Sequence, residues 1–221
     1  RIATAASFLA LFLTWASVAE GQVVDSFSAA TNGSVRTAVT QTDGKILIGG
    51  SFTTVSNGAA QRLAIARFNA DGSLDTGFDP GVDGTVYAIT IQGDGKILVG
   101  GDFVGVGGSV GSTPRKSIAR LEANGSVDAT FNPGTDASGW VEVILLQSNG
   151  QILLSGGFTG LGGGTGATTR NRIGRLDANG AVDGTFTPGA EGQRSAIALD
   201  TNGRRAAGGN FTRAGGGTGT T

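Results

Sequence analysis

The sequence contains an internal repeat, and this repeat restricts the possible fold more than any other feature. One glycine-rich string occurs four times, at spacings of 51, 55 and 53 residues: GKILIGGSF at 44–52, GKILVGGDF at 95–103, GQILLSGGF at 150–158 and GRRAAGGNF at 203–211. A second string occurs three times, at spacings of 53 and 55 residues: ARFNADGSLDTGFDPG at 66–81, ARLEANGSVDATFNPG at 119–134 and GRLDANGAVDGTFTPG at 174–189. One unit of roughly 53 residues therefore carries both strings, and the fold must be built from such units.

Within each unit the residue pattern is typical of β-strands. Short runs rich in Val, Ile and Leu are separated by Asx-Gly pairs, which are a strong signal for a two-residue hairpin turn. The pairs are Asp43-Gly44, Asp71-Gly72, Asp94-Gly95, Asn124-Gly125, Asn149-Gly150, Asn179-Gly180 and Asn202-Gly203. The chain has 41 glycines among 221 residues, which disfavours long helices. Each full unit is predicted to hold two hairpins, or four antiparallel strands.

A period of this length with four strands predicts an all-β fold, a β-propeller whose blades are the repeat units. A β-solenoid would need shorter coils, and a β-sandwich would not need near-identical hairpins. Phe27 lies eight residues before Val35, as Phe78 lies eight residues before Val86. Asp25–Phe27 is therefore predicted to be the fourth strand of a blade. The fourth unit stops within 213–221, before its third strand. We therefore expect an incomplete propeller of about 3.5 to 4 blades with open sheet edges.

The GGxF hairpin and the xRLxxxGxxDxxFxPG segment resemble the delta-60 repeat family of exported bacterial proteins. The resemblance covers residues 22–221 and implies a propeller-like repeat domain of a surface or secreted protein. It carries over no catalytic residue. The GG pair after an apolar run is also similar to kelch repeats, but the Tyr and Trp that kelch units hold at fixed spacing are absent. Galactose-oxidase-like chemistry is therefore not favoured.

Residues 1–21 have the pattern of a secretory signal peptide that lacks its true start. The run AASFLALFLTWASVA at 5–19 follows a basic residue, Arg1, and passes into small residues near a plausible cleavage point. A short membrane-spanning or buried helix is the alternative, although the run is short for a span. The sequence thus predicts a secreted, periplasmic or cell-surface protein, with no transmembrane segment after residue 21.

Composition excludes several classes of function. The chain has no His and no Cys, so Ser-His-Asp and Cys-His catalysis, thiolate or imidazole metal sites and disulfides are excluded within it. A net charge of −1 gives no general attraction to nucleic acid. A glycosidase would need a pair of carboxylates, and the only glutamates are Glu20, Glu122, Glu142 and Glu191.

The repeated polar and aromatic residues are interpreted first as framework. An Arg and an Asp lie eight residues apart in each full copy, which places them on adjoining strands of one hairpin, close enough for a charge-assisted hydrogen bond. These pairs are Arg67 with Asp75, Arg120 with Asp128, and Arg175 with Asp183. The repeated Phe residues are expected to pack between blades, and the GG pairs to allow close backbone approach, rather than to cradle phosphate.

The segment from Asn69 to Asp75 resembles part of a calcium loop, and an exported protein meets calcium. The first ligand position is Arg67 in this copy, however, so a cation would meet a positive charge where it needs a carboxylate. The segment is therefore interpreted as a hairpin turn with polar caps, calcium remaining the alternative. No other cofactor is predicted.

The longer connections between strands vary in length while the tight turns do not, which favours recognition on the face that carries them. The unusual side chains in these connections are the candidate ligand contacts: Lys116, Asp136, Trp140 and Glu142. Trp140 could stack on a sugar or anchor a protein interface, and the alternative is packing between blades. Three functions stay open: a binding or adhesive module for a protein or glycan, a structural spacer, and a propeller-based carbohydrate-active enzyme.

Overall fold

A computed structural model of the chain describes residues 28–188 and the backbone of Ala190–Leu199 and Arg205–Ala214. The predicted signal peptide at 1–21 and the predicted strand at Asp25–Phe27 lie outside the described residues. All regular structure in the described residues is β-strand, arranged in small antiparallel sheets that follow one another along the chain. The all-β propeller architecture predicted from the repeat is confirmed.

Each repeat unit forms one three-stranded sheet, or blade, with a short hairpin inserted before its third strand. The first blade comprises β1 (Val35–Thr40), β2 (Ile46–Gly50), β3 (Thr54–Val55), β4 (Ala60–Gln61) and β5 (Ile65–Phe68). The second comprises β6 (Thr85–Ile91), β7 (Ile97–Asp102), β8 (Gly105–Val106), β9 (Thr113–Pro114) and β10 (Ile118–Leu121). The third comprises β11 (Val141–Leu146), β12 (Ile152–Gly156), β13 (Gly160–Leu161), β14 (Thr168–Thr169) and β15 (Ile173–Leu176). A two-stranded sheet follows, formed by β16 (Ala190–Leu199) and β17 (Arg205–Ala214).

The middle strand of each blade pairs with both of the others, and the fourth strand is reduced to one bridged residue. In the first blade β2 lies between β1 and β5, and Leu74 forms a single bridge to Phe68. The strand stops there because the carboxylate of Asp75 accepts a hydrogen bond from the backbone N–H of Gly77 at 3.1 Å. Such a local side-chain turn competes with continued sheet pairing.

The tight turns between first and second strands are one residue longer than predicted. In the first blade Gly44 donates to the carbonyl of Gln41 at 3.0 Å, and Gln41 donates to the carbonyl of Lys45 at 2.7 Å. Only the glycine takes a left-handed conformation, with φ of +81°, and Asp43 Oδ1 instead accepts from the Lys45 N–H at 3.1 Å. The prediction of a two-residue turn was wrong because an Asx-Gly pair suits both loop lengths.

The two tight turns of each blade lie together at one end of the sheet, here called the turn face. A Cβ built on Gly44 would lie 3.2 Å from the Cβ of Ala70 in the other turn of the blade. Since strands alternate in direction, the inserted hairpins and the connections between blades lie at the opposite end, here called the loop face. The fold therefore places the tight turns, whose length is constant, on one face and the connections of variable length on the other.

The hydrophobic core lies between blades rather than within one of them. One buried cluster joins Leu47 and Ile65 of the first blade to Val86 and Ile97 of the second, and another joins the second blade to the third. A glycine on the second strand of the first two blades, Gly49 or Gly100, makes room for this packing, and the third blade has Ser155 there. A Cβ on Gly100 would lie 2.8 Å from Val141 Cγ1 and 2.9 Å from Ile144 Cδ1 of the next blade.

Candidate functional site

The candidate site lies on the loop face where the second and third blades meet, in the segment 135–140, here called the 135–140 loop. Two buried hydroxyl groups hold the backbone of this loop in place. Thr135 Oγ1 donates to Ser117 Oγ at 2.9 Å, and Ser117 Oγ donates to the carbonyl of Gly139 at 2.7 Å. Both side chains are fully buried, so the loop is fixed to the second blade by a satisfied polar network.

Asp136 occupies a position that recurs in all three blades. Its Oδ1 accepts from the backbone N–H groups of Thr159 and Gly160 at 3.0 and 3.1 Å. Asn32 and Asp83 accept in the same way from the start of the inserted hairpin in the first and second blades. Burial opposes ionisation of Asp136, but these hydrogen bonds outweigh it and lower the pKa of the carboxyl group. The structure thus places this candidate contact in the repeated framework.

Lys116 fastens the 135–140 loop from the side. The half-buried ammonium group donates to the carbonyl of Ala137 at 2.6 Å. Ala137 and Ser138 are exposed beside it. The lysine therefore fixes the backbone of the loop while the two small residues face solvent.

Trp140 packs against the backbone of the third blade and stays partly exposed. A Cβ built on Gly157 would lie 2.2 Å from Cη2 of the indole, so only glycine leaves room for the ring there. The Gly157 N–H also donates to the carbonyl of Trp140 at 3.0 Å. The other blades carry Ser51 and Asp102 at the glycine position. The indole thus rests on a flat support that the other two blades lack.

Glu142 lies at a β-bulge, where β11 pairs with β12 through Val141 and Val143 but not through the residue between them. It is half-buried, and its Oε2 is enclosed without a hydrogen-bond partner. The same bulge in β1 and β6 holds Arg36 and Tyr87, which sequence reasoning missed. In the sequence only the valine before each bulge repeats, because the residues after the bulge, Thr37, Ala88 and Val143, differ as well.

The Arg and Asp residues assigned to the framework are in contact on the turn side of the blades. The distances from Arg Nε to Asp Oδ2 are 2.9, 2.8 and 2.8 Å for Arg67–Asp75, Arg120–Asp128 and Arg175–Asp183. Each guanidinium also stacks on a phenylalanine, at 4.2, 4.5 and 4.6 Å from the ring centroids of Phe78, Phe131 and Phe186. Arg120 Nη1 reaches the next blade and donates to the carbonyl of Ala178 at 2.6 Å. Arg120 therefore links the second blade to the third.

A second arginine series was also missed by sequence reasoning. Arg115 donates to the carbonyls of Pro114, Asp128 and Ala129 at 2.8, 3.2 and 3.3 Å, and so holds the shortened fourth strand. Arg62 and Arg170 hold equivalent carbonyls in the other blades. Their spacings of 53 and 55 residues match those of the second repeated string and could have identified them.

The segment that resembles a calcium loop is occupied by its own side chains. Asp71 accepts hydrogen bonds from the backbone and hydroxyl of Ser73, and the carboxylate of Asp75 is bound by Arg67 and Lys45. Within the described ranges, no three His, Cys, Asp or Glu residues are grouped closely enough to hold a metal ion. The part of the chain that the structure describes also contains no helix long and apolar enough to span a membrane.

Comparison with known proteins identifies the repeat. The family model described as a β-propeller domain of unknown function, DUF5122, matches residues 41–78, 92–131 and 147–186, together 118 of the 221 residues. Each match runs from the first tight turn of a blade to the phenylalanine beneath its arginine. No curated protein matches the chain.

Among solved structures, a similar chain is the extracellular domain of a one-component system protein from B. thetaiotaomicron. The identity is 17% and the TM-score 0.47, over 79% of this chain and 19% of that one. The chain thus spans about a fifth of the length of that extracellular domain.

Proposed function

Because the chain belongs to the DUF5122 β-propeller family, we propose that it is a non-catalytic binding domain, with its recognition surface on the loop face around Trp140. The described framework carboxylates support a non-catalytic role. Asp75, Asp128 and Asp183 are each held by an arginine, and Glu122 is paired with Lys96 at 2.6 Å. Carboxylates bound in this way are poor candidates for the acid and base of glycoside hydrolysis.

The environment of Trp140 carries this proposal. A large aromatic side chain lies on a glycine support, at the end of a loop that two buried hydroxyl groups and a lysine hold in place. A rigid, partly exposed indole offers contact area without the entropy cost of ordering a flexible side chain. Ser34 and Thr85 occupy the equivalent position in the other blades, so Trp140 is a local addition to the repeat.

The proposed setting is outside the cell. Residues 1–21 have the pattern of a signal peptide, and the delta-60 repeats that the chain resembles occur in exported bacterial proteins. A domain that presents one variable face on an invariant framework suits adhesion or capture at a bacterial surface. The expected partner is a protein or a glycan.

The test compares the wild-type protein with Trp140→Ala on an array of oligosaccharides and peptides. Thr42→Ala is the matched control, since Thr42 is exposed on the turn face. The proposal predicts that Trp140→Ala weakens binding at least tenfold, which corresponds to about 1.4 kcal/mol, while the control binds as wild type. Equal binding by the two variants, or binding to no array member, would contradict it.

A further inference from the structure

The bulge residues of the three first strands share one structural position. Sheet pairing passes from Val35 to Thr37, from Val86 to Ala88 and from Val141 to Val143, which leaves one residue of each strand outside the ladder. These residues are Arg36, Tyr87 and Glu142. A β-bulge frees a side chain from the regular alternation of a strand and redirects it, and bulges are frequent at binding sites.

One residue pair beside the bulge is the same in all three blades. The valine before it faces a glycine of the second strand in each blade: Gly50, Gly101 and Gly156. A side chain on that glycine would overlap the backbone of the first strand, at 2.0 Å from the carbonyl oxygen of Thr85 in the second blade. The framework that forms the bulge is therefore fixed, while the residue it displays changes from positive to aromatic to negative.

The first strands lie side by side in consecutive blades, β1 beside β6 and β6 beside β11. The guanidinium carbon of Arg36 lies 5.4 Å from the centroid of the Tyr87 ring in the next blade. Between β6 and β11, Thr90 Oγ1 donates to the carbonyl of Ile144 at 3.2 Å. The bulge residues thus form a row across three blades at the loop-face end of their strands, here called the bulge row, and Glu142 is two residues from Trp140.

The chemistry of the bulge row restricts its ligand. Arg36 is exposed and supplies N–H donors, Tyr87 is half-buried and supplies an aromatic surface, and Glu142 holds a carboxylate oxygen without a donor. An enclosed acceptor without a partner costs roughly 1–3 kcal/mol, and a rotation of the half-buried carboxylate that brings this oxygen to a ligand hydroxyl group would recover it. The row has no net charge, so Arg36 opposes a cationic ligand and Glu142 an anionic one.

We propose that the bulge row is a subsite for a neutral saccharide, whose hydroxyl groups donate to Glu142 and accept from Arg36. This inference rests on the proposed binding function and adds a ligand class and two contact residues, Arg36 and Tyr87. Neighbouring hydroxyl groups of a sugar both donate and accept, which matches a row that offers an acceptor at one end and donors at the other. The ring of Tyr87 provides the apolar contact between them.

The test uses cellopentaose, maltopentaose and mannopentaose as neutral probes, with trigalacturonate and a chitosan oligomer as charged comparators. Binding to the full chain is followed by isothermal titration calorimetry. At least one neutral probe is expected to bind more tightly than both charged ones. Arg36→Ala, Tyr87→Ala and Glu142→Gln should each weaken that binding fivefold or more, and Thr42→Ala should leave it unchanged. The exposed Arg36 provides a variant that does not depend on core packing.

Three results would overturn the subsite: no neutral probe binds, a charged probe binds more tightly, or Arg36→Ala binds as wild type. The proposed function can survive this failure. If an array member binds in a manner sensitive to Trp140→Ala but not to Arg36→Ala, the loop face is a binding surface and the bulge row is not its saccharide subsite. If nothing binds in either experiment, both proposals are wrong.

Discussion

Arg120 on β10 and Asp128 contact each other across the tight turn that follows β10, with Arg120 Nε 2.8 Å from Asp128 Oδ2. Both residues are buried, at 7% and 5% exposure, and Lys96 binds the same carboxylate oxygen at 2.9 Å. The arginine also reaches the backbone of the third blade through Ala178. One ion pair therefore stabilises a blade and its junction with the next.

Replacing Asp128 with Ala should lower the free energy of unfolding by about 1–3 kcal/mol, because it leaves Arg120 buried without its anion. Urea denaturation of the intact protein measures the change. Asp102→Ala is the control, since Asp102 is exposed and should change stability by less than about 0.5 kcal/mol. Equal stability of the two variants would show that the pair is not structural.

The free energy of unfolding should fall in acid because the carboxylates of Asp128 and Asp183 become protonated. Burial raises the pKa of Asp128, but hydrogen bonds from Thr130, Lys96 and Arg120 outweigh this and hold the pKa well below its usual range. In the third blade, hydrogen bonds from Thr185, the counterpart of Thr130, and from Arg175 lower the pKa of Asp183 in the same way. An unfolded Asp titrates near pH 4, so this stabilisation is complete at neutral pH and is lost as the pH falls below about 4.

Urea denaturation between pH 7 and pH 2 measures this dependence. Asp128→Asn should lose less stability than wild type over that range, because one of the titrating carboxylates is gone. Parallel curves for the two proteins would show that Asp128 does not carry the effect.

Gly100 should not tolerate a side chain, because a Cβ there would overlap Val141 and Ile144 of the next blade. We expect Gly100→Ala to lower stability by about 1–3 kcal/mol through overpacking of the blade junction. Gly93→Ala is the matched control, since no atom beyond Gly93 and its two chain neighbours lies within 4 Å of its added Cβ. Differential scanning calorimetry should show a lower melting temperature for Gly100→Ala alone, and equal melting temperatures would contradict the packing.

Gln92 is a position at which a substitution should not lower stability. Its Oε1 is enclosed and without a hydrogen-bond partner, as are those of Gln41 and Gln147 at the same position in the other blades. Since burying an unpaired acceptor is unfavourable, Gln92→Met should leave stability unchanged or raise it by up to about 1 kcal/mol. A loss of more than about 1 kcal/mol on urea denaturation would show that the amide is satisfied in solution.

The repeat made the fold predictable, but not the details of each blade. Two strings that recur every 51 to 55 residues are enough to define a blade and the pairing of its hairpins. They do not define turn length, because Gly44 has the same left-handed φ in a two-residue or a three-residue loop. They also do not show that Asp75 ends the fourth strand, because its role depends on the hydrogen bond to Gly77.

The candidate site was less predictable for a related physical reason. Sequence comparison can identify an unusual residue, such as Trp140, but it cannot show which hydrogen bonds that residue's neighbours make. Asp136 differs from Asn32 in charge, yet the two accept equivalent backbone hydrogen bonds. Arg36 and Tyr87 have different chemistry, and only the sheet register shows that they share the bulge position with Glu142.

Trp140 allows the binding surface to be tested directly. The chain has two tryptophans, Trp15 and Trp140, and Trp15 lies in the predicted signal peptide. In protein without residues 1–21, fluorescence quenching by acrylamide therefore reports on Trp140 alone. If the loop face is the recognition surface, a saturating array member should lower the quenching constant at least twofold, because the bound partner covers the exposed part of the indole. An unchanged quenching constant at saturation would contradict the claim that this domain binds through the loop face.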